Sequence, residues 1–336
     1  MSLRLALRNL AVELPRPRES AKGSVQARRA LAVSIEGGGE KGEAEAAPLP
    51  GFSAETLEEV AAALRGLRLD GASSSIPELA PPSARFAVEA ALLDREGKQK
   101  GCPVAALLGA NARELRAVGL VDSIETGVED ALRMIEAGAP GVKVKIGRPG
   151  RARDEAALLF RLRAELGPSR ILRADANGAL GDARHPLLEV LAEIGVDYVE
   201  EPFSVERLLE APPLPCRVAL DESVDRAPSL ALEAVARGKA EALVLKPTRL
   251  GVSASLSLGR EVEREGGRVV VGHLFEPPRA FAMLVHLALA LDPEGAHGLF
   301  PYAGLDAWTD EDGARVALPV GLGGPVADVR RAEGLG

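Results

Sequence analysis

The first fifty residues alternate short apolar runs with proline, glycine and charge, and the runs at 3–14, 28–36 and 42–48 predict three strands of a small meander. Between the first two, the polar stretch 16–24 predicts a loop. Pro48-Leu49-Pro50-Gly51-Phe52 reads as a turn, with Ser53 as the N-cap of a helix whose apolar face is Leu57, Val60, Ala61 and Leu64. A second helix is predicted over 83–95, followed by a connector over 97–109.

From residue 117 the texture becomes short β-branched runs alternating with amphipathic stretches. Strands are predicted at 117–121, 141–146, 171–175, 197–200, 218–221, 242–246, 269–272 and 297–300. Helices are predicted at 128–137, 154–166, 187–194, 230–236, 254–265 and 279–291. Repeated βα units of this kind predict an α/β fold, a (β/α)8-type barrel with an irregular last unit. The expected organisation is an N-terminal α+β capping domain over 1–112, a barrel over 113–301, and a Gly- and Pro-rich segment over 302–336 that returns to the capping domain.

Composition narrows the function classes. A net charge of −8 with 3% aromatic residues and no basic cluster argues against nucleic acid and against an anionic membrane surface as partners. The longest apolar run, 280–291, falls short of the ~20 residues that span a bilayer. The first sixteen residues lack a signal-peptide pattern, so a cytoplasmic location is expected. Cys102 and Cys216 have no metal-ligand spacing and are expected as buried thiols. The pattern assigns no oligomeric state.

Candidate chemistry begins at Gly141-Val142-Lys143-Val144-Lys145-Ile146-Gly147. Alternation sends Lys143 and Lys145 to one face and the β-branched residues to the other. Mutual repulsion and desolvation disfavour the charged form, so such a lysine can serve as a base near neutral pH. Downstream, predicted strands end in Asp175-Ala176-Asn177, Glu200-Glu201-Pro202, Asp221-Glu222-Ser223 and Lys246-Pro247. Asp175, Glu200, Asp221 and Lys246 stand 25, 21 and 25 residues apart, about one βα unit each, which places them side by side at the barrel mouth. Of Glu200 and Glu201 only one can face the mouth, and Glu200 precedes the turn.

Three converging carboxylates require a cation, and oxygen-only ligands favour a hard ion, Mg2+. Such a centre would bind a small-molecule carboxylate, acidify its α-proton and stabilise the enediolate formed when a lysine removes that proton. A lone acid at a strand end more often caps the next helix; three acids and three lysines at successive ends do not fit that account.

With these motifs the chain resembles the enolase superfamily, in the muconate lactonising branch, and is most similar to o-succinylbenzoate synthases. The segments that carry the resemblance are Lys143-Val144-Lys145, Asp175-Ala176-Asn177, Glu200-Glu201-Pro202, Asp221-Glu222-Ser223, Lys246-Pro247-Thr248 and 48–57, with 101–109 similar to the superfamily's connector. The resemblance implies a lyase in menaquinone biosynthesis that dehydrates 2-succinyl-6-hydroxy-2,4-cyclohexadiene-1-carboxylate to 2-succinylbenzoate. It implies Asp175, Glu200 and Asp221 as Mg2+ ligands, Lys145 as the base, and Lys143 and Lys246 completing the catalytic set. Asn177, His273 and Glu276 are candidates for supporting or substrate contacts, and Arg148, Arg151 and Arg249 for the substrate carboxylate.

Two departures stand out against that pattern. Gly272-His273-Leu274-Phe275-Glu276 replaces strand-seven serines of many relatives, and Ala44 with Glu43 replaces a glycine and an aromatic residue. A dipeptide epimerase or N-acylamino acid racemase, with Lys145 and Lys246 exchanging protons, is the alternative within the superfamily. Such epimerases usually carry Asp-x-Asp at strand eight, where this chain has Gly298-Leu299-Phe300. A non-catalytic barrel that only binds ligand is the alternative outside it.

Overall fold

A long antiparallel hairpin opens the chain in the computed structural model, which describes residues 3–20, 23–69, 81–322 and 326–336. β1 (Arg4–Ser20) pairs with β2 (Gly23–Gly37), setting Leu5 opposite Ile35 and Leu7 opposite Val33, and β3 (Glu40–Ala46) joins the other edge of β2. The loop expected over 16–24 is mostly strand: Arg18 pairs with Val25, Glu19 with Ser24 and Ser20 with Gly23. Residues 21 and 22 lie outside the described residues. The register shifts between Glu13 and Arg18, where Pro15 and Pro17 cannot donate to the ladder. Backbone pairing carries this polar stretch, and a hydrophobic pattern does not register it.

α1 (Leu57–Gly66) starts from Thr56, whose side chain forms a reciprocal capping box with Glu59. Ser53, expected in that role, instead accepts a bond from the Leu49 amide at 2.9 Å and closes the preceding turn. α2 (Pro82–Lys100) extends past the predicted end and lies on the sheet through Ala84, Ala87 and Ala91. A Cβ on Gly42 would sit 1.9 Å from the Ala91 carbonyl oxygen, so a glycine is needed for this close approach.

After α3 (Val104–Leu107) come β4 (Glu114–Ala117), β5 (Gly119–Val121), α4 (Gly127–Glu136), β6 (Gly141–Lys145), α5 (Ala152–Leu166) and β7 (Ile171–Asp175). The chain continues through α6 (Leu187–Glu193), β8 (Val199–Glu200), α7 (Val205–Glu210), β9 (Val218–Leu220), α8 (Glu222–Arg226), α9 (Pro228–Ala236) and β10 (Ala242–Leu245). Then follow α10 (Pro247–Leu250), α11 (Val252–Arg264), β11 (Arg268–Val271), α12 (Pro278–Leu291), β12 (Ala296–His297), β13 (Thr309–Asp310) and β14 (Val326–Asp328). β5 to β11 form a curled parallel sheet of seven strands in sequence order, with the helices outside.

The predicted eighth strand at 297–300 is reduced to β12. β12 pairs with β4, and Gly298 bridges Gly272, so this short piece joins the two edges of the curled sheet. The strand predicted at 117–121 is likewise divided at Val118 into β4 and β5.

The capping sheet and barrel are tied by carboxylates at helix N-termini, where backbone amides lack partners of their own. Glu89 accepts from the Val252 amide at 2.5 Å, and Glu45 from the Ala280 amide at 2.6 Å. β13 adds to β1 and β14 pairs with β4. Near the end of the chain, Leu335 donates to buried Asp94 at 2.7 Å, and the Glu43 amide donates to the other oxygen of the same carboxylate at 2.7 Å. Cys102 and Cys216 are partly exposed rather than buried. No helix among the described residues is long and apolar enough to cross a membrane.

Candidate active site

Strand alternation decides what enters the barrel. In β6, Val142 and Val144 face the helices, while Lys143 and Lys145 line a cavity of about 490 Å³. Register places Lys145 beside Asp175 and Asp175 beside Glu200. Asp221 and Lys246 continue the row around the same cavity. The turn after Lys145 is held by buried Glu155, which accepts the amides of Gly147 and Arg148 at 2.9 and 3.0 Å.

The acids and lysines interleave. The Lys143 ammonium lies 3.0 Å from Asp175 and 2.6 Å from Glu200, and that of Lys246 is bonded to Asp221. Burial alone would lower the pKa of Lys143, but Asp175, Glu200 and Asp221 hold it well above the ordinary lysine value. Lys246 is raised in the same way, with burial outweighed by Asp221 and Glu200. Lys145 moves the other way: burial lowers its pKa against the pull of Asp175, and Lys143 adds to the lowering. Repulsion between the paired lysines therefore acts as expected on Lys145 and is overridden on Lys143. Among the carboxylates, burial pushes Glu200 up to about 8, whereas Lys246 and Lys143 overcome burial at Asp221 and depress it.

Glu200 faces this cavity and Glu201 does not. Glu201, in the left-handed region at φ 40°, accepts the Asp221 amide at 2.9 Å and the Ser223 hydroxyl. Asp221 occupies the N-cap position of α8, yet its carboxylate makes no capping bond. Asn177 donates to Asp175 at 2.7 Å and to Glu222 at 3.2 Å. Glu222 also lines the cavity, with one buried oxygen lacking a partner, and burial beside Asp221 and Asp175 pushes it up to about 7. β9 ends at Leu220, and the helix turn that follows brings Glu222 as well as Asp221 to the cavity.

His273, after β11, also lines the cavity, stacked on Tyr302 at 5.4 Å between centroids and edge-on to Phe275 and Phe281. Its Nδ1 accepts the Phe275 amide at 3.2 Å, which leaves the ring proton on Nε2. Glu276 is absent from the wall: it is fully buried behind it, accepting Thr248 Oγ1 at 2.8 Å and the Leu274 amide at 2.5 Å. Of the three candidate arginines only Arg249 lines the cavity, paired with Asp225 at 2.5 Å. Arg148 is spent on the carbonyls of Lys145 and Asp122, and Arg151 on Asp154 and Glu125. The capping part contributes Val25, Leu49 and Phe52.

The donor set fits a hard divalent cation: carboxylate oxygens from three successive strand ends, with no thiolate and no imidazole among them. In the present arrangement no three acidic, histidine or cysteine side chains among the described residues converge at ligand distance, because the ammonium of Lys143 bridges Asp175 and Glu200. The residues that would hold the ion are thus adjacent, with lysines supplying the countercharge.

Fold and cavity together define a capped parallel βα barrel with acids and bases at its strand ends. Residues 127–336 match the family Enolase C-terminal domain-like, and residues 21–95 match MenC, N-terminal domain. The chain belongs to the enolase superfamily, in its muconate lactonising branch. An o-succinylbenzoate synthase of Geobacillus kaustophilus is 30% identical over 270 residues, 73% of this chain and 70% of the relative. A hydrophobic dipeptide epimerase of Roseobacter litoralis is 32% identical over 205 residues, 56% of this chain, and the match spans only 58% of the epimerase's own length. Among solved structures, a dipeptide epimerase from Methylococcus capsulatus complexed with Mg and a dipeptide superposes with TM-score 0.81 at 24% identity, covering 100% of this chain and 99% of that one.

Proposed function

We propose that the chain is an o-succinylbenzoate synthase, eliminating water from 2-succinyl-6-hydroxy-2,4-cyclohexadiene-1-carboxylate to give 2-succinylbenzoate. The observation that carries this reading is the match of residues 21–95 to the MenC N-terminal domain, the part that supplies Val25, Leu49 and Phe52 to the cavity. Asp175, Glu200 and Asp221 would hold Mg2+, which when bound supplies positive charge to stabilise the negative charge developing on the substrate carboxylate. Lys145 is the member of the lysine set whose pKa is lowered, which suits it to take the α-proton on Nζ. The same proton then passes from Lys145 to the departing hydroxyl, which leaves as water while the ring becomes aromatic. Lys246, across the cavity, offsets the charge left after proton removal.

A second reading, α-proton exchange between Lys145 and Lys246 in a dipeptide or N-acylamino acid, is favoured by the similarity to the Roseobacter epimerase. Against it, the strand-eight part of the wall is Gly298, Phe300 and Pro301, with no carboxylate there to hold a substrate ammonium. Loss of the diene absorbance, followed with Mg2+ in the wild type and in Lys145→Ala, tests the first reading. Metal-dependent turnover that the variant loses by ~10³-fold or more is expected. No turnover by a protein that binds Mg2+ refutes it, and solvent-deuterium exchange into dipeptides would then support the second.

A further inference from the structure

Arg28 lies on β2, outside the catalytic row, and is 2% exposed. Among the described residues no carboxylate comes within ion-pair distance of it. A buried cation without a direct counterion is costly, and so demands a use. The β2–β3 ladder ends at Leu31 opposite Ala46. The next two carbonyls of the chain are taken by the Arg28 guanidinium: Nη2 donates to Ala47 O at 2.8 Å and Nη1 to Pro48 O at 2.9 Å. The side chain thus extends the ladder where the backbone of β3 has turned away.

What it holds is the turn that reaches the cavity. Phe52 and Ser53 donate to the Leu49 carbonyl at 3.0 and 2.8 Å, and the Leu49 amide donates to Ser53 Oγ at 2.9 Å. These bonds shape the turn without tying it to the sheet; the Arg28 fork ties it. Leu49 and Phe52 then project into the cavity wall. Burial lowers the Arg28 pKa, and the charge of Glu276 opposes that lowering. Glu276 in turn holds Thr248, two residues after Lys246, so the fork and the lysine strand share one buried polar region.

We propose that Arg28 is a positioning residue that fixes the 47–53 turn over the cavity and so sets how the part of the substrate remote from the reacting carbon is held. This rests on the proposed synthase activity for its kinetic consequence but not for its structural one. Amide exchange is therefore measured alongside kinetics in Arg28→Met and Arg28→Lys. In Arg28→Met, exchange at Leu49, Phe52 and Ser53 should rise about tenfold or more while the β1–β2 amides stay protected. KM for the cyclohexadiene carboxylate should rise about tenfold, with kcat within about threefold of wild type, and Arg28→Lys should restore part of both.

Unchanged exchange over 47–53 in a folded Arg28→Met protein would overturn the proposal. Equal loss of protection throughout the capping sheet would also overturn it, by showing a general structural role. If the wild type does not turn over this substrate, the synthase reading fails, while the exchange pattern still decides the role of Arg28.

Discussion

The two lysines of β6 carry the same sequence signal and end with opposite pKa shifts, because Lys143 is ion-paired to two carboxylates while at Lys145 burial, with Lys143 adding to it, outweighs the pull of Asp175. Alternation alone delivers both to the cavity; which one is poised to accept a proton depends on neighbours brought by other strands. The same holds for Lys246. A Cβ on Gly272 would lie 3.2 Å from the Lys246 ammonium nitrogen, closer than ordinary contact. Gly272→Ala should displace that ammonium by a few tenths of an ångström and reduce kcat about tenfold with little change in melting temperature. Steady-state kinetics beside thermal unfolding would check this, and an unaltered kcat would show that Lys246 has slack. Gly272 was visible in the sequence only as a missing serine; its closeness to Lys246 comes from the register of the neighbouring strands β10 and β11, which sets Leu245 beside Val271.

At the scale of elements, the strand ends were legible because acids and lysines recur at successive ends, which helix capping alone does not account for. Asp175, Glu200, Asp221 and Lys246 were read that way; the register sets Asp175 beside Glu200, and all four line one cavity. Glu222 was hidden because period-two reasoning stops where a strand becomes a helix. The polar extension of the first hairpin was hidden because ladder bonds use backbone, whatever the side chains. Interfaces between elements were equally silent, and Glu45 is an example. Burial pushes its carboxyl up to about 7, although the Ala280 amide and Arg279 oppose the shift. The folded chain therefore holds a proton that the unfolded chain releases near pH 4.5. The stability this contributes is complete below pH 4.5 and is lost as pH rises through 7. Glu45→Gln should accordingly gain on the wild type across that window, by up to about 3 kcal/mol. Urea unfolding at pH 4.5 and pH 8 would reveal the difference, and a pH-independent gap would contradict it.

Across the whole molecule, segments distant in sequence complete one another. Asp94 is fully buried and accepts amides from Glu43 and Leu335 as well as the Lys98 ammonium. Asp94→Ala would strand one buried and one partly buried amide donor and should cost about 2–4 kcal/mol of unfolding free energy. Chemical denaturation measures this directly; a loss under about 1 kcal/mol would mean that water replaces the carboxylate. The chain enters a sheet with β1 and returns to the same sheet with β13. During synthesis the amino-terminal hairpin therefore emerges from the ribosome long before its edge partner, and must wait while the barrel is translated. Folding from the amino end can form the β1–β2–β3 sheet but leaves its β13 edge to be added after the barrel. β1 thus gains its last partner only when the far end of the chain arrives.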